Sequence, residues 1–81
     1  MHSVTGATYL HDYVVELVFN DGRRKQIDFF DELHGEVFEP LRDLNRFRKF
    51  SINHDIRTIT WDTGADFCPD VLYQEMGEFI S

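Results

Sequence analysis

The chain contains a single cysteine, Cys68, and no stretch that approaches the roughly 20 consecutive apolar residues of a membrane span. One cysteine excludes an intramolecular disulfide and a zinc site built from several cysteines, and it favours a reducing compartment. The first four residues lack the basic start and apolar run of a signal peptide. We therefore expect a cytoplasmic protein that does not enter the membrane.

Positive charge is scarce: eight Lys and Arg residues stand against fifteen Asp and Glu residues, for a net charge of −7. Such a surface repels a phosphate backbone unless the few basic residues gather on one face. Direct nucleic-acid binding is therefore not expected.

Aromatic residues are plentiful in this short chain, with eight Phe, three Tyr and one Trp. A chain of 81 residues forms one domain, here residues 1–81, and buries only roughly three-fifths of its unfolded surface. Large side chains must supply most of so small a core. We predict that the aromatic residues are core residues before they are binding residues.

A β-hairpin is the clearest local element. Apolar residues alternate with the others from Tyr13 to Phe19, as in a half-buried strand, and a turn with Gly22 follows. A three-residue loop with Gly22 in the left-handed conformation places apolar residues opposite one another, whereas a two-residue loop mixes polar and apolar pairs. The expected pairs are Val15 with Ile27, Tyr13 with Phe29, Glu16 with Gln26 and Val18 with Arg24.

Weaker patterns complete the fold prediction. Residues 4–10 form a first strand, Asp31 caps a short helical turn that Gly35 stops, and further short turns start near Pro40. A second hairpin joins residues 50–52 to 59–61 across a turn at residues 53–55.

The last predicted element is a helix. Pro69 suits its first position, Cys68 its cap and Asp70 its first turn, and the helix lays Leu72, Met76 and Phe79 on the sheet. The fold class is α+β: a small antiparallel sheet of about five strands, formed by a three-stranded meander and a hairpin, with short helices including a C-terminal helix packed on the sheet.

Several blocks of residues carry a resemblance to a known family. The chain resembles the bacterial domain-of-unknown-function family 2442, whose members contain Phe-x-Asp-Gly, Phe-x-Pro-Leu-x-Asp, a further Phe, and a closing block that starts at Ile-x-Trp. The matching residues here are Phe19, Asp21, Gly22, Phe38, Pro40, Leu41, Asp43, Phe47, Ile59, Trp61, Gly64, Asp66, Pro69, Asp70, Leu72 and Tyr73. Gly22, Trp61, Gly64, Asp66, Pro69, Asp70 and Tyr73 form a family signature that we interpret as structural.

The resemblance implies little about activity. Members are mostly short stand-alone proteins, some carry a helix-turn-helix domain after this one, and several look like partners of a neighbouring small protein in toxin–antitoxin gene pairs. This sequence ends at Ser81. We therefore do not expect a DNA-binding helix pair here.

Three aspartates, Asp62, Asp66 and Asp70, recur at intervals of four residues and, with His54, raise the question of a metal site. Their spacing crosses a turn and follows no single helix face, so we interpret Asp66 and Asp70 as hydrogen-bond acceptors for free backbone amides. The remaining histidines are scattered. Cys68 has no assignable base nearby in sequence. We predict no catalytic residue, no cofactor and no metal ligand.

The only basic and aromatic cluster lies between residues 42 and 50. Such a cluster suits intramolecular ion pairs or contact with an acidic partner. The candidate partner contacts are Arg42, Arg46, Arg48 and Lys49, interleaved with Phe47 and Phe50.

Three functions agree with the sequence. The first is a non-enzymatic protein-interaction module that binds a protein partner or itself, for example through an exposed sheet edge. The second is an antitoxin-like or regulatory partner of a neighbouring small protein, with residues 42–49 as its contact. The third is a ligand- or metal-binding domain that uses the acidic turn around Asp66.

Overall fold

The computed structural model describes residues 1–80 and consists of two antiparallel sheets with two short helices. Its strands are β1 (Val4–His11), β2 (Val14–Phe19), β3 (Arg24–Asp28), β4 (Ser51–Asn53), β5 (Thr58–Thr60) and β6 (Glu78–Phe79). The helices are α1 (Leu44–Phe47) and α2 (Pro69–Gln74), and single 3₁₀ turns span Phe30–Glu32 and Glu39–Arg42. The predicted α+β class is confirmed.

The four-stranded sheet has the order β1-β2-β3-β6. Its β2–β3 register pairs Val15 with Ile27, as the alternation predicts, and Gly22 adopts a φ of 85° in the three-residue loop. A one-residue slip would turn the apolar set of β2 to solvent, so burial of one face selects this register. Both the hairpin and its loop are confirmed.

The hairpin of β4 and β5 forms the second sheet, with Ile52 opposite Ile59. Its turn is longer than predicted and runs to Arg57, which has a φ of 62°. The Asn53 side chain accepts hydrogen bonds from the amides of Asp55 and Ile56 at 2.9 and 3.3 Å. These two hydrogen bonds satisfy backbone N–H groups inside the longer turn.

Two of the predicted local details are wrong. Asp31 lies inside the turn at Phe30–Glu32, whose N-cap residue is Phe29, and the Asp28 side chain accepts a hydrogen bond from the amide of Phe30 at 3.0 Å. Helix α2 ends at Gln74, so Phe79 does not share its apolar stripe. Gly77 turns the chain, and Phe79 then pairs with Lys25 in β6.

The core lies between one face of the four-stranded sheet and a layer made by the helices, the loops and the second sheet. Its largest fully buried side chains include Phe19, Phe29 and Phe47, and Leu72 anchors α2 against the sheet. No helix within residues 1–80 has both the length and the apolar character that a membrane crossing requires.

Candidate interaction surface

Trp61, the centre of the signature block, is a core residue. Its ring is 4% exposed and packs against Phe29, Phe47, Phe50 and Phe67, with ring centres 5.7 to 6.4 Å away. The indole N–H donates to the carbonyl of Phe47 at 2.8 Å, which satisfies its only polar atom. This residue is therefore occupied inside the fold and offers no binding surface.

Gly64 and Asp66 belong to the turn that follows Trp61. Gly64 has a φ of 93°, and its amide donates to the carbonyl of Trp61 at 3.1 Å. Asp66 forms an isolated β-bridge with Thr60 through its backbone. Its side chain is exposed and accepts no hydrogen bond from residues 1–80, so the expected capping role of Asp66 is wrong.

A second group of signature residues meets at one corner of the molecule. Tyr73 of α2 donates its hydroxyl to the Asp21 side chain at 2.6 Å, and the His2 ring stacks on the Tyr73 ring with centres 3.6 Å apart. Asp70 accepts a hydrogen bond from the backbone amide of His2 at 2.9 Å. Asp70 is thus an acceptor for a free backbone amide, as expected, but this amide lies at the chain start and not in the first turn of α2.

The contacts at this corner also lower the pKa of the Asp21 carboxyl. The hydrogen bond from Tyr73 lowers the pKa of Asp21 below its ordinary value, and the backbone N–H of Arg23 acts in the same direction. The positive charges of Arg23 and His2 add smaller effects, also lowering this pKa.

Replacing Tyr73 with phenylalanine is expected to raise the pKa of Asp21 towards its ordinary value, since the largest cause of its depression is removed. Because the folded-state pKa is the lower one, this hydrogen bond stabilises the fold above about pH 4 and loses its effect as pH falls through the folded-state pKa. NMR titration of the Asp21 carboxyl checks the shift. Urea unfolding at neutral and at acid pH checks the loss.

Tyr9→Phe is the matched control, because the Tyr9 hydroxyl makes no hydrogen bond with the part of the chain that the structure describes. It should leave the pKa of Asp21 unchanged. An unchanged pKa in Tyr73→Phe would contradict the assigned cause.

Sequence reasoning missed Lys25, which is 3% exposed. Its ammonium donates to the carbonyls of Leu72 at 3.0 Å and Tyr73 at 2.5 Å near the C-terminus of α2, where free carbonyls favour a cation. Removal from water lowers the pKa of Lys25, and the nearby charge of Arg23 acts in the same direction. The pairing of β2 with β3 is the feature that could have identified it, because Lys25 lies opposite the buried Leu17 and therefore on the core side of the sheet.

Cys68 and the acidic groups do not form a shared cluster in the part of the chain that the structure describes. Cys68 is exposed at the start of α2 and its thiol makes no capping hydrogen bond. Within residues 1–80, no three His, Cys, Asp or Glu side chains are close enough to hold a metal ion. Asp62 forms an ion pair with Arg46 at 3.7 Å. Within residues 1–80, the three aspartates therefore do not converge on a common point.

Two of the four candidate partner contacts are engaged inside the molecule. Arg42 donates through Nε to the carbonyl of Leu33 at 2.7 Å and accepts at its own carbonyl a hydrogen bond from the Tyr13 hydroxyl. Arg46 pairs with Asp62.

Arg48 and Lys49 remain exposed and have no carboxylate partner among residues 1–80. The Arg48 guanidinium lies over the Tyr9 ring, 5.0 Å from its centre. With Asn45, these two residues line a shallow depression. They form the part of the basic cluster that is available to a partner.

The direction of the backbone N–H and C=O groups in β2 determines which backbone groups of β1 can form hydrogen bonds with β2. The Phe19 amide donates to the carbonyl of Arg23 at 3.0 Å. Odd-numbered residues of β2 therefore direct their backbone groups to β3, and even-numbered residues direct theirs to β1.

The residues of β1 alternate in the same way. Gly6 and Thr8 pair with even-numbered residues of β2 and exchange hydrogen bonds with them. Ala7 and Tyr9 consequently direct their N–H and C=O groups away from the sheet. Neither pair of groups finds a hydrogen-bond partner elsewhere in residues 1–80. We call these four backbone groups the open β1 edge.

The open β1 edge is bounded on both sides. At the start of β1, the Val4 amide donates to the carbonyl of Arg57 at 2.9 Å, which ties the second sheet to this strand. The register shifts between Val4 and Gly6 and again between Tyr9 and His11. Such irregularities limit pairing along an edge. The open β1 edge is therefore a short segment with fixed ends.

Comparison with known proteins identifies a family that matches most of the chain. The model of a family described as "Protein of unknown function (DUF2442)" matches residues 4–77. No curated protein matches the chain, and no solved structure does. The match spans every strand from β1 to β5 and both helices.

Proposed function

The chain belongs to the DUF2442 family, and we propose that it is a non-enzymatic protein-interaction module of the bacterial cytoplasm. The observation that carries this proposal is the open β1 edge, where two N–H and two C=O groups of Ala7 and Tyr9 have no hydrogen-bond partner among residues 1–80. Edge groups of this kind pair with an extended segment of another chain, which gains main-chain hydrogen bonds.

The composition of the edge supports a role in binding. The segment from Gly6 to Tyr9 has no charged residue and no proline, the two devices that most often protect an exposed strand. Its protection comes from the irregular pairing at its two ends. An incoming strand therefore has a defined place to bind and little room to slide.

Backbone amide exchange tests the proposal without a known partner. The amides of Ala7 and Tyr9 should exchange fast, while those of Gly6 and Thr8 exchange on the order of 100-fold more slowly because they bond to β2. Residue-resolved hydrogen exchange by NMR checks this alternation. If the Ala7 and Tyr9 amides are as protected as their neighbours, the edge is already occupied and the proposed function fails.

A second candidate is an antitoxin-like or regulatory partner of a neighbouring small protein. The observation that favours it is the exposed pair Arg48 and Lys49: Arg48 lies over Tyr9 of the edge, Lys49 shares a depression with Arg48, and both positive charges are left for an opposing surface. Co-expression with the product of the adjacent gene tests it: this chain should suppress the toxicity of that product. A binding role for a small ligand or metal has weaker support, since Asp62, Asp66 and Asp70 make separate contacts.

A further inference from the structure

We propose that the open β1 edge binds an extended acidic segment of another polypeptide, whose carboxylates meet Arg48 and Lys49. This inference rests on the proposed function and adds the chemistry of the partner. Three observations carry it: the outward backbone groups of Ala7 and Tyr9, the location of Arg48 over Tyr9, and the absence of a carboxylate partner for Arg48 and Lys49 within residues 1–80.

The register defines how an added strand would lie. Side chains alternate across a strand, and directly opposite residues in neighbouring strands project to the same face. Tyr9 stands opposite Val15 and points to the core side of the sheet, where it packs near Phe47. A residue of the partner opposite Tyr9 therefore projects to that same side, on which Arg48 covers the Tyr9 ring.

The charge of this neighbourhood selects the partner. An acidic side chain opposite Tyr9, and another two residues along, would face the Arg48 guanidinium and the Lys49 ammonium. Basic side chains at the same positions would meet like charge. The chain as a whole carries −7, so these two cations form a local exception on an acidic surface, and they orient an acidic segment towards one edge.

A second copy of this chain fits the edge less well. Pairing of β1 with β1 of another copy would present the sequence VTGATYLH, which contains no carboxylate for Arg48 or Lys49. Two molecules of net charge −7 also repel each other. Self-association through this edge is therefore an alternative outcome of the test.

The test uses two labelled peptides, Thr-Glu-Thr-Glu-Thr-Glu-Thr and Thr-Lys-Thr-Lys-Thr-Lys-Thr, with blocked ends. We expect the acidic peptide to bind more tightly by fluorescence anisotropy and to slow exchange of the Ala7 and Tyr9 amides. The double variant Arg48→Glu, Lys49→Glu should weaken acidic-peptide binding on the order of tenfold, and added salt should weaken binding to the unchanged protein.

A proline pair separates edge pairing from simple charge attraction. Ala7→Pro removes an outward N–H and keeps the bonds to β2, so it should fold and lose the acidic peptide. Thr8→Pro removes an N–H that bonds to β2 and should destabilise the sheet itself. Circular dichroism and Trp61 emission report whether each variant is folded.

The outcomes distinguish the two proposals. If the free protein already protects the amides of Ala7 and Tyr9, the proposed function itself fails. If those amides exchange fast in the dilute monomer, three results overturn only the acidic partner: stronger binding of the lysine peptide, no protection by the acidic peptide at millimolar concentration, or a dimer that occupies the edge at higher protein concentration. Acidic-peptide binding that survives both Ala7→Pro and the charge reversal overturns it as well.

Discussion

Replacement of Trp61 by alanine is expected to lower the free energy of unfolding by about 3 to 5 kcal/mol, because a buried Trp leaves a large cavity when truncated. The ring is 4% exposed and touches four phenylalanines, so little relaxation can fill the space. Domains are stable by roughly 0.05 to 0.15 kcal/mol per residue, about 4 to 12 kcal/mol for 81 residues. Trp61→Ala therefore removes a large share of the total free energy of unfolding.

Urea unfolding followed by circular dichroism measures this effect, since the variant lacks the tryptophan fluorophore. Trp61→Phe separates the two contributions: it keeps much of the ring but leaves the Phe47 carbonyl without its donor, a loss of about 1 to 3 kcal/mol. Phe30→Ala is the surface control, because this ring is 56% exposed. A Trp61→Ala effect no larger than that of Phe30→Ala would contradict the core assignment.

Gly77→Ala is the second change with a large expected effect. A Cβ at this position would lie 2.4 Å from Cγ1 of Ile27 and 2.5 Å from the carbonyl oxygen of Gln26, and Gly77 has a φ of 64°. The left-handed conformation costs an alanine about 1 to 2 kcal/mol, and the overlap with β3 adds about 1 to 3 kcal/mol. We expect a total loss of about 2 to 5 kcal/mol.

Gly35→Ala provides a matched control for the Gly77 prediction. Gly35 has a φ of 92°, but nothing lies within 4 Å of a Cβ built there. Alanine at this position should therefore cost only the conformational part, about 1 to 2 kcal/mol. Thermal or urea unfolding measures the loss of stability in both variants. Equal losses would contradict the prediction that a Cβ at position 77 overlaps with β3.

The first hairpin shows what the sequence can specify by itself. Its register follows from one criterion, that Val15, Leu17 and Phe19 share a buried face, and only the loop with Gly22 in the left-handed conformation meets it. Local periodicity and turn chemistry agree here. The same agreement explains why the meander, the second hairpin and the start of α2 at Pro69 were predictable.

The C-terminal segment was not predictable, because its structure depends on distant contacts. Met76 and Phe79 continue the helical spacing of Leu72, yet α2 ends at Gln74 where the buried Lys25 binds its last carbonyls. Gly77 then brings the chain against β3. A lysine opposite Leu17 was a visible anomaly of the register, but its partner lies 47 residues away.

The candidate surface was predictable only in part. The sequence pointed to four basic residues, but it could not show that Arg42 and Arg46 are engaged within the fold while Arg48 lies over Tyr9. A free edge is likewise a property of sheet order. The outward direction of Ala7 and Tyr9 depends on β1 being the end strand, which no local pattern encodes.

The bonds from Lys25 to α2 set an order of events during synthesis. Strand β3 leaves the ribosome well before its partner, since the carbonyls of Leu72 and Tyr73 lie 47 and 48 positions later in the chain. At about 5 to 20 residues per second, that interval lasts roughly 2 to 10 s. Until then the nascent meander holds a lysine on its apolar face, and the ribosome-bound chain cannot complete its core.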